Sequence, residues 1–246
     1  MSSSALRRQT ISTQPLSKVA RHVILPYGAT KTDWPKVETA LAALGVQFDR
    51  WQIDASKAAL SRRGADGPYA AGIGGVVVSI PRQVGKTFWV GAVTFALCLV
   101  YPGSLVIWTA HRVATAAETF NDMQAFAARR KVAPFIKQVF TGDGDESVIF
   151  KNGSRILFGS RGTGFGRGFK KVKMLILDEA QILTEKTMED MVPATNQAEN
   201  PLIFLMGTPP RPIDPGEVFK ARRRDALSGE DEDVMYVEFS ADRDAD

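Results

Sequence analysis

Ser79-Ile80-Pro81-Arg82-Gln83-Val84-Gly85-Lys86-Thr87 is the stretch on which the fold turns. The apolar run Gly75-Val76-Val77-Val78 precedes it and reads as a buried parallel strand. Residues 88–97 follow it and are apolar enough for a helix buried on most sides. A strand, a tight loop and a helix joined through Gly-Lys-Thr form the layout of a phosphate-binding loop. Backbone N–H groups from Arg82 to Thr87 would curl around an anion at the positive end of the helix. Lys86 would reach the β- and γ-phosphates, and the Thr87 hydroxyl would hold Mg²⁺. The nucleotide-binding residues expected here are Pro81, Arg82, Gln83, Val84, Gly85, Lys86 and Thr87. The general pattern has a glycine five residues before Gly85, where this chain has Ile80. Taken alone, the loop therefore also reads as an ordinary strand-to-helix turn with an exposed lysine.

Outward from the loop, apolar strands alternate with helical spacing. Strands are expected over residues 103–110, 172–177, 202–206 and 234–239, and a hairpin over 147–158 around Asn152-Gly153. Helices are expected over 34–44, through 60 after Phe48, and over 113–130, 184–196 and 215–227. Such alternation implies an α/β fold with a mostly parallel central sheet and helices on both faces. Residues 1–15, rich in Ser, Thr and Gln, read as disordered.

The 246 residues, 44% hydrophobic and 24% charged, suit a soluble globular protein. One cysteine, Cys98, points to a reducing compartment and argues against a disulfide framework or a cysteine metal site. His22 and His111 are too few for a histidine-rich metal site. The net charge of +4 is uneven, with −7 on residues 229–246 and +11 on the remainder. A basic body of this kind suits an anionic polymer. No uncharged apolar stretch of 18 residues is present, so no membrane span is expected, and the polar first 14 residues are not a secretory signal.

In a parallel sheet, ligands sit beyond the carboxyl ends of the strands. Three predicted strands end in reactive residues: the phosphate loop, Asp178-Glu179, and Thr208. Asp178 would hold Mg²⁺ and Glu179 would orient and deprotonate a water attacking the γ-phosphate. A second acid after the metal-binding one separates hydrolytic motors from most kinases of this class, which must exclude water. The bland alternative is that Asp178-Glu179 caps the next helix.

Three motifs carry a family resemblance: Arg82-Gln83-Val84-Gly85-Lys86-Thr87, Leu175-Ile176-Leu177-Asp178-Glu179-Ala180-Gln181, and Phe204-Leu205-Met206-Gly207-Thr208-Pro209. Together they resemble the large terminase subunit of tailed bacteriophages over about residues 45–240. In that family the loop commonly lacks the first glycine and carries an arginine. The resemblance implies a RecA-like ATPase of the additional-strand (ASCE) P-loop class, with ATP and Mg²⁺ as ligands. It implies that Arg82 contacts the γ-phosphate, that Trp51-Gln52 is the adenine-recognition motif, with Gln52 hydrogen-bonding the base and an aromatic neighbour stacking on it, and that Thr208 couples hydrolysis to DNA movement. It also implies a trans arginine finger at Arg167, with Arg161 as the fallback. Trp51-Gln52 as simple packing, Thr208 as a plain turn and Arg167 as a surface arginine stay open.

On the same resemblance, the partners are double-stranded DNA, a portal protein, a small terminase subunit and further copies in a ring of five, in the bacterial cytoplasm. DNA contacts are expected among Arg129-Arg130-Lys131, Lys170-Lys171 and Arg222-Arg223-Arg224. Residues 1–44 read as an N-terminal extension and 45–246 as the ATPase domain. The family's nuclease half is expected to be absent, so no DNA cleavage is expected. Two rival readings remain. One is a superfamily 2 helicase-like translocase, which needs a second lobe that the 36 residues after Pro210 are too few to supply. The other is a nucleotide-binding module without turnover.

Overall fold

Strands buried on both faces are near-continuous apolar runs, and the centre of this molecule is built from them. The structure, a computed structural model, describes residues 13–72, 74–142, 144–211 and 213–240. The predicted disorder of residues 1–15 therefore falls mostly outside the described residues. In chain order α1 (Leu16–Val19), β1 (His22–Ile24), β2 (Lys31–Thr32), α2 (Trp34–Ala43), α3 (Arg50–Ala59) and β3 (Ser61–Arg62) lead to β4 (Gly75–Ser79) and α4 (Lys86–Val100). Next come β5 (Leu105–Ala110), α5 (Val113–Ala127), β6 (Ile136–Phe140), β7 (Ser147–Phe150), β8 (Arg155–Ser160) and β9 (Val172–Leu177). The chain closes with α6 (Glu185–Met191), β10 (Leu202–Gly207), α7 (Glu217–Ser228) and β11 (Val234–Glu238).

Among the described residues, nine strands form one sheet in the order β1-β11-β4-β10-β9-β5-β8-β7-β6, and β2 pairs with β3. The run from β11 to β8 is parallel throughout. β1 adds antiparallel at one edge, and the β6–β7–β8 meander closes the other. This is the mostly parallel α/β sheet expected from the sequence. Alternation along each strand sends side chains to two opposite cores. Val76 and Val78 join the cluster under α2, α3, α4 and α5, while Val77 joins the one under α6 and α7. α4 is buried from Trp89 to Cys98. It approaches α5 closely at Gly91, where a Cβ would lie 2.5 Å from the Met123 sulfur.

The segment before residue 45 shares this core. Trp34, Val37 and Leu41 of α2 belong to the same cluster as Val76 and Trp89. β1 pairs with β11 from His22↔Glu238 to Ile24↔Tyr236. At three residues β1 is too short to show a periodicity, and β6 follows Pro134 without clean alternation.

β11 is fastened to α7 and to β4 through Glu238. Its register partner is Ser79, and its carboxylate accepts hydrogen bonds from Arg223 Nε at 2.7 Å, Tyr236 Oη at 2.6 Å and Ser240 Oγ at 2.8 Å. Burial alone would raise this carboxyl's pKa, but the three donors outweigh it and bring it down to about 2. Its contribution to stability is therefore complete above its ordinary value near 4.5 and is lost as pH falls through about 2. Glu238→Gln should accordingly be less stable than wild type at pH 7, with the difference narrowing steadily below pH 4.5. Urea denaturation of both proteins between pH 3 and 7 measures this, and a constant difference would contradict the assignment.

Candidate nucleotide-binding site

Ile80, at the position where the general loop pattern has glycine, is fully buried in the main core. Its N–H donates to the Gly207 carbonyl at 3.0 Å, joining the start of the loop to the tip of β10. Pro81 to Gly85 are exposed. Gln83 (φ 65°) and Gly85 (φ 86°) take the left-handed conformation, which glycine adopts without a Cβ penalty. Gly85 is the N-cap of α4, so the N–H groups at Lys86, Thr87 and Phe88 open a 15-residue helix without intrahelical partners. Free N–H groups and the helix dipole together favour a phosphate there.

The parallel register puts the tips of β4, β10 and β9 side by side. They meet at a cleft of about 250 Å³ lined by Arg82, Lys86, Thr87, Asp178, Glu179 and Thr208. Lys86 Nζ lies 3.9 Å from Asp178 Oδ1, and both side chains are largely buried. Burial raises the Asp178 pKa against the pull of Lys86 and the Glu179 N–H. Burial also lowers that of Lys86, against the pull of Asp178 and with Arg82 adding to the lowering. Desolvation thus exceeds the attraction within the pair, and both charges gain from further counter-ions. A Mg²⁺ ion beside Asp178 and a phosphate beside Lys86 are ions of the right sign at each position. Among the described residues no three or more His, Cys, Asp or Glu side chains form a metal cage. Mg²⁺ is held by one or two protein groups together with substrate phosphates, and Thr87 and Asp178 both line the cleft.

Glu179 has a left-handed backbone (φ 53°), and its N–H donates to Asp178 Oδ1 at 2.8 Å. Its carboxylate accepts from the N–H groups of His111 (2.9 Å) and Arg112 (3.2 Å) and from Thr115 Oγ1 (3.2 Å), at the start of α5. The Thr208 N–H donates to Gln181 Oε1 at 3.3 Å. Asp178, Glu179 and Thr208 line one cleft.

Gln52 is 6% exposed, and its Oε1 accepts from the Asp49 N–H at 2.9 Å, capping α3. Its amide nitrogen lies beside the loop, 3.6 Å from where a Cβ on Gly85 would be. Trp51, the other residue of the Trp-Gln pair, is closely packed. Its indole, 5% exposed, packs on Trp89 and Phe239 with ring centroids 5.8 and 5.1 Å away. Trp89 is a core residue and Phe239 is partly buried against the same core, so packing holds the Trp51 ring on both.

The two candidate finger arginines differ sharply. Arg161 donates to the Thr109 carbonyl (2.8 Å), Thr109 Oγ1 (2.9 Å) and the Asp178 carbonyl (2.7 Å). Burial lowers its pKa to about 10, opposed by Asp178 and Glu179. It is an internal brace between the tips of β5 and β9, which removes it as the fallback finger. Arg167 sits on the surface between Gly166 and Gly168, both left-handed, and pairs with Asp190 at 2.6 Å. Of the expected DNA contacts, Arg222 pairs with Asp231, Arg223 with Glu238 and Arg224 with Asp225. That run is largely neutralised by its own neighbours.

Sequence reasoning missed the α5 side of the cleft, where Thr115, Glu118 and Asp122 line it. Their three- and four-residue spacing puts them on one helix face. Only the packing of α5 shows that this face is the one turned to the cleft. Gln181 was missed as well, although it directly follows Asp178-Glu179-Ala180.

A parallel sheet with this loop, an acid pair just beyond β9, and β10 between the loop strand and the acid strand defines the RecA-like class of P-loop folds. Within that class the chain has the fold of the ATPase domain of phage large terminases. It is similar to the large terminase of bacteriophage HK97 at a TM-score of 0.69 and 17% identity, over 87% of this chain and 45% of that one. A mutant ATPase domain of the Thermus phage P74-26 large terminase matches at 0.53 and 15%, over 70% of this chain and 69% of that one. A large terminase from a thermophilic bacteriophage, in complex with ADP, matches at 0.50 and 12%, over 68% of this chain and 40% of that one. The chain thus spans less than half of the HK97 protein and of the ADP-bound terminase. No protein-family model and no curated protein sequence matches it.

Trp51→Ala should cost about 3–5 kcal/mol of stability and leave the ATP affinity of the folded protein unchanged. Denaturant titration and calorimetric titration with ATP measure the two effects. A selective loss of ATP binding at unchanged stability would give the stacking role to this ring. Arg161→Met should destabilise by about 1.5–3 kcal/mol, the range for hydrogen bonds from a charged donor, whereas Arg167→Met on the surface should change stability by less than about 0.5 kcal/mol.

Proposed function

We propose that this chain is the ATP-hydrolysing motor part of a phage large terminase, driving double-stranded DNA into a procapsid. The observation that carries the proposal is the meeting of three strand tips, bearing Lys86, Asp178 with Glu179, and Thr208, at one cleft on the carboxyl edge of the sheet. The named terminases of the same fold, one of them in complex with ADP, support the substrate class.

In this reading the N–H groups of the loop and Lys86 bind the outer phosphates, and Arg82 adds charge from within the loop. Thr87 and Asp178 hold Mg²⁺, which when bound supplies positive charge to the phosphate oxygens. Glu179 takes a proton from the attacking water. To reach that water its carboxylate exchanges at least one of its bonds at the start of α5. Gln52, beside Gly85, recognises the base edge, with no stacking from Trp51. Thr208 and Gln181 link the cleft to β10, which suits Thr208 to couple hydrolysis to movement. Arg167 reaches the site of an adjacent copy in a ring of five. Its exposed pair with Asp190 is of the kind that contributes little, so breaking it costs little. The portal protein and the small terminase subunit are the assembly partners, in the bacterial cytoplasm. Among the described residues no helix is long and apolar enough to cross a membrane.

The test is Glu179→Ala. A general base contributes roughly 10²–10⁴-fold, so hydrolysis should fall by that factor while ATP affinity persists. Lys86→Ala should abolish both. An unaltered chain that binds ATP but shows no turnover, with duplex DNA present and at high protein concentration, would make it a binding module instead.

A further inference from the structure

Between Met123 and Leu177 the chain carries eleven lysines and arginines against three acids, Asp143, Asp145 and Glu146. The fold separates these charges. Arg155 opens β8, and its register partner Leu105 on β5 also pairs with Val172, the first residue of β9. Lys170 and Lys171, just before Val172, therefore lie at the same edge as Arg155, the amino edge of the parallel strands. β7 runs antiparallel to β8 and brings Lys151 to that edge, where its N–H donates to the Phe135 carbonyl at 2.9 Å. This sets the start of β6, with Lys137, beside Lys151. A tight turn, with the Val132 and Ala133 N–H groups both donating to the Arg129 carbonyl, places Arg130 and Lys131 next to it. Asp145 and Glu146, in the β6–β7 connection, are at the opposite edge.

Arg130, Lys131, Lys137, Lys151, Lys170 and Lys171 are all exposed. Among the described residues no carboxylate pairs with any of them, whereas Arg62, Arg63, Arg167, Arg211 and Arg222 to Arg224 are each taken up by an acid. The row crosses β9, β5, β8, β7 and β6, four strand spacings or about 19 Å. It is a row rather than a pocket, on the edge away from the nucleotide cleft. Farther along the same edge, before β11, lies the run Glu230 to Asp233, of which Asp231 and Asp233 pair with Arg222 and Arg63.

We infer that this strip is a docking surface for the phosphate backbone of duplex DNA. A row of unpaired, flexible cations reads no base edges but matches a line of phosphates. Its length corresponds to about half a helical turn of a duplex. The run at the other end of the edge, with Asp231 and Asp233 already paired to Arg222 and Arg63, adds no cation there, which leaves the strip on the β9-to-β6 side. The inference rests on the motor reading for the choice of duplex DNA as the polymer; the charge separation itself does not depend on that reading.

The experiment compares two triple variants of the full chain by fluorescence anisotropy with a labelled duplex, across a range of KCl concentrations. Lys137→Gln/Lys151→Gln/Lys170→Gln removes charge from the strip. Lys18→Gln/Lys57→Gln/Lys186→Gln removes the same charge from exposed lysines elsewhere. The strip variant should bind roughly tenfold or more weakly at about 0.1 M salt, with the slope of log K against log salt reduced by about 2–3. The control variant should keep the wild-type slope. ATP turnover measured without DNA should be unchanged in the strip variant. Equal losses in both variants, or an unaltered slope in the strip variant, would overturn the inference, as would preferential binding of single strands through these lysines. Strip-dependent duplex binding by a chain that hydrolyses no ATP would sustain the strip and sink the motor reading.

Discussion

The site depends on one constraint: strands hydrogen-bonded in parallel must finish on the same edge. Ser79 pairs with Gly207 and Leu205 with Leu177, so the residues just beyond these partners have no choice but to be neighbours. The same register forces a carboxylate, an ammonium and a second carboxylate into partly dry space. Lys86 and Asp178 are both shifted toward neutrality by burial although they stand 3.9 Å apart. A site whose fixed charges are under-compensated in this way favours ligands that bring both signs, as a metal-bound polyphosphate does.

The geometry is held from behind by groups that do no chemistry. Ile80 anchors the loop in the core, where a glycine would leave the space unfilled. Arg161 ties Thr109 on β5 to Asp178 beyond β9, so the acid's backbone cannot drift relative to the sheet. Glu238 fastens β11 to α7 and stands beside Ser79, the last residue before the loop. These are long-range contacts between residues far apart in the chain. Each replaces loop freedom with fixed hydrogen bonds at the point where a phosphate would be held.

Much of this was legible in the sequence because it is local. β4, β9 and β10 are short apolar runs bounded by polar residues, and their chemistry sits at a fixed offset from the last apolar residue. What was illegible is pairwise. Arg161 and Arg167 occur in similar glycine-rich surroundings, yet one is an interior brace and the other a surface ion pair. The difference is whether Thr109 and Asp178 are within reach, which no spacing encodes. Trp51 and Gln52 are adjacent on one helix, but the 100° between successive helical residues sends one into the Trp89–Phe239 cluster and the other toward Gly85. The run Arg222 to Arg224 looks as basic as Lys170-Lys171. Only folding shows that Asp225, Asp231 and Glu238 neutralise it.

β5 is the element shared by both edges of the sheet. At its carboxyl end Thr109 receives Arg161, and the His111 and Arg112 N–H groups just beyond it hold the Glu179 carboxylate. At its amino end the Ser104 N–H donates to Ser154 Oγ in the β7–β8 turn, and the Arg155 N–H donates to the Ser104 carbonyl. It is buried along its whole length and paired on both sides, with β8 and β9. A strand so confined bends little and transmits displacement along its axis, because the close-packed layers on both faces leave no space to absorb it. Its carboxyl end thus lies beside the Glu179 carboxylate and its amino end beside the β7–β8 turn. The six residues from Leu105 to Ala110 join the cleft edge of the sheet to the opposite edge as one buried, doubly paired element.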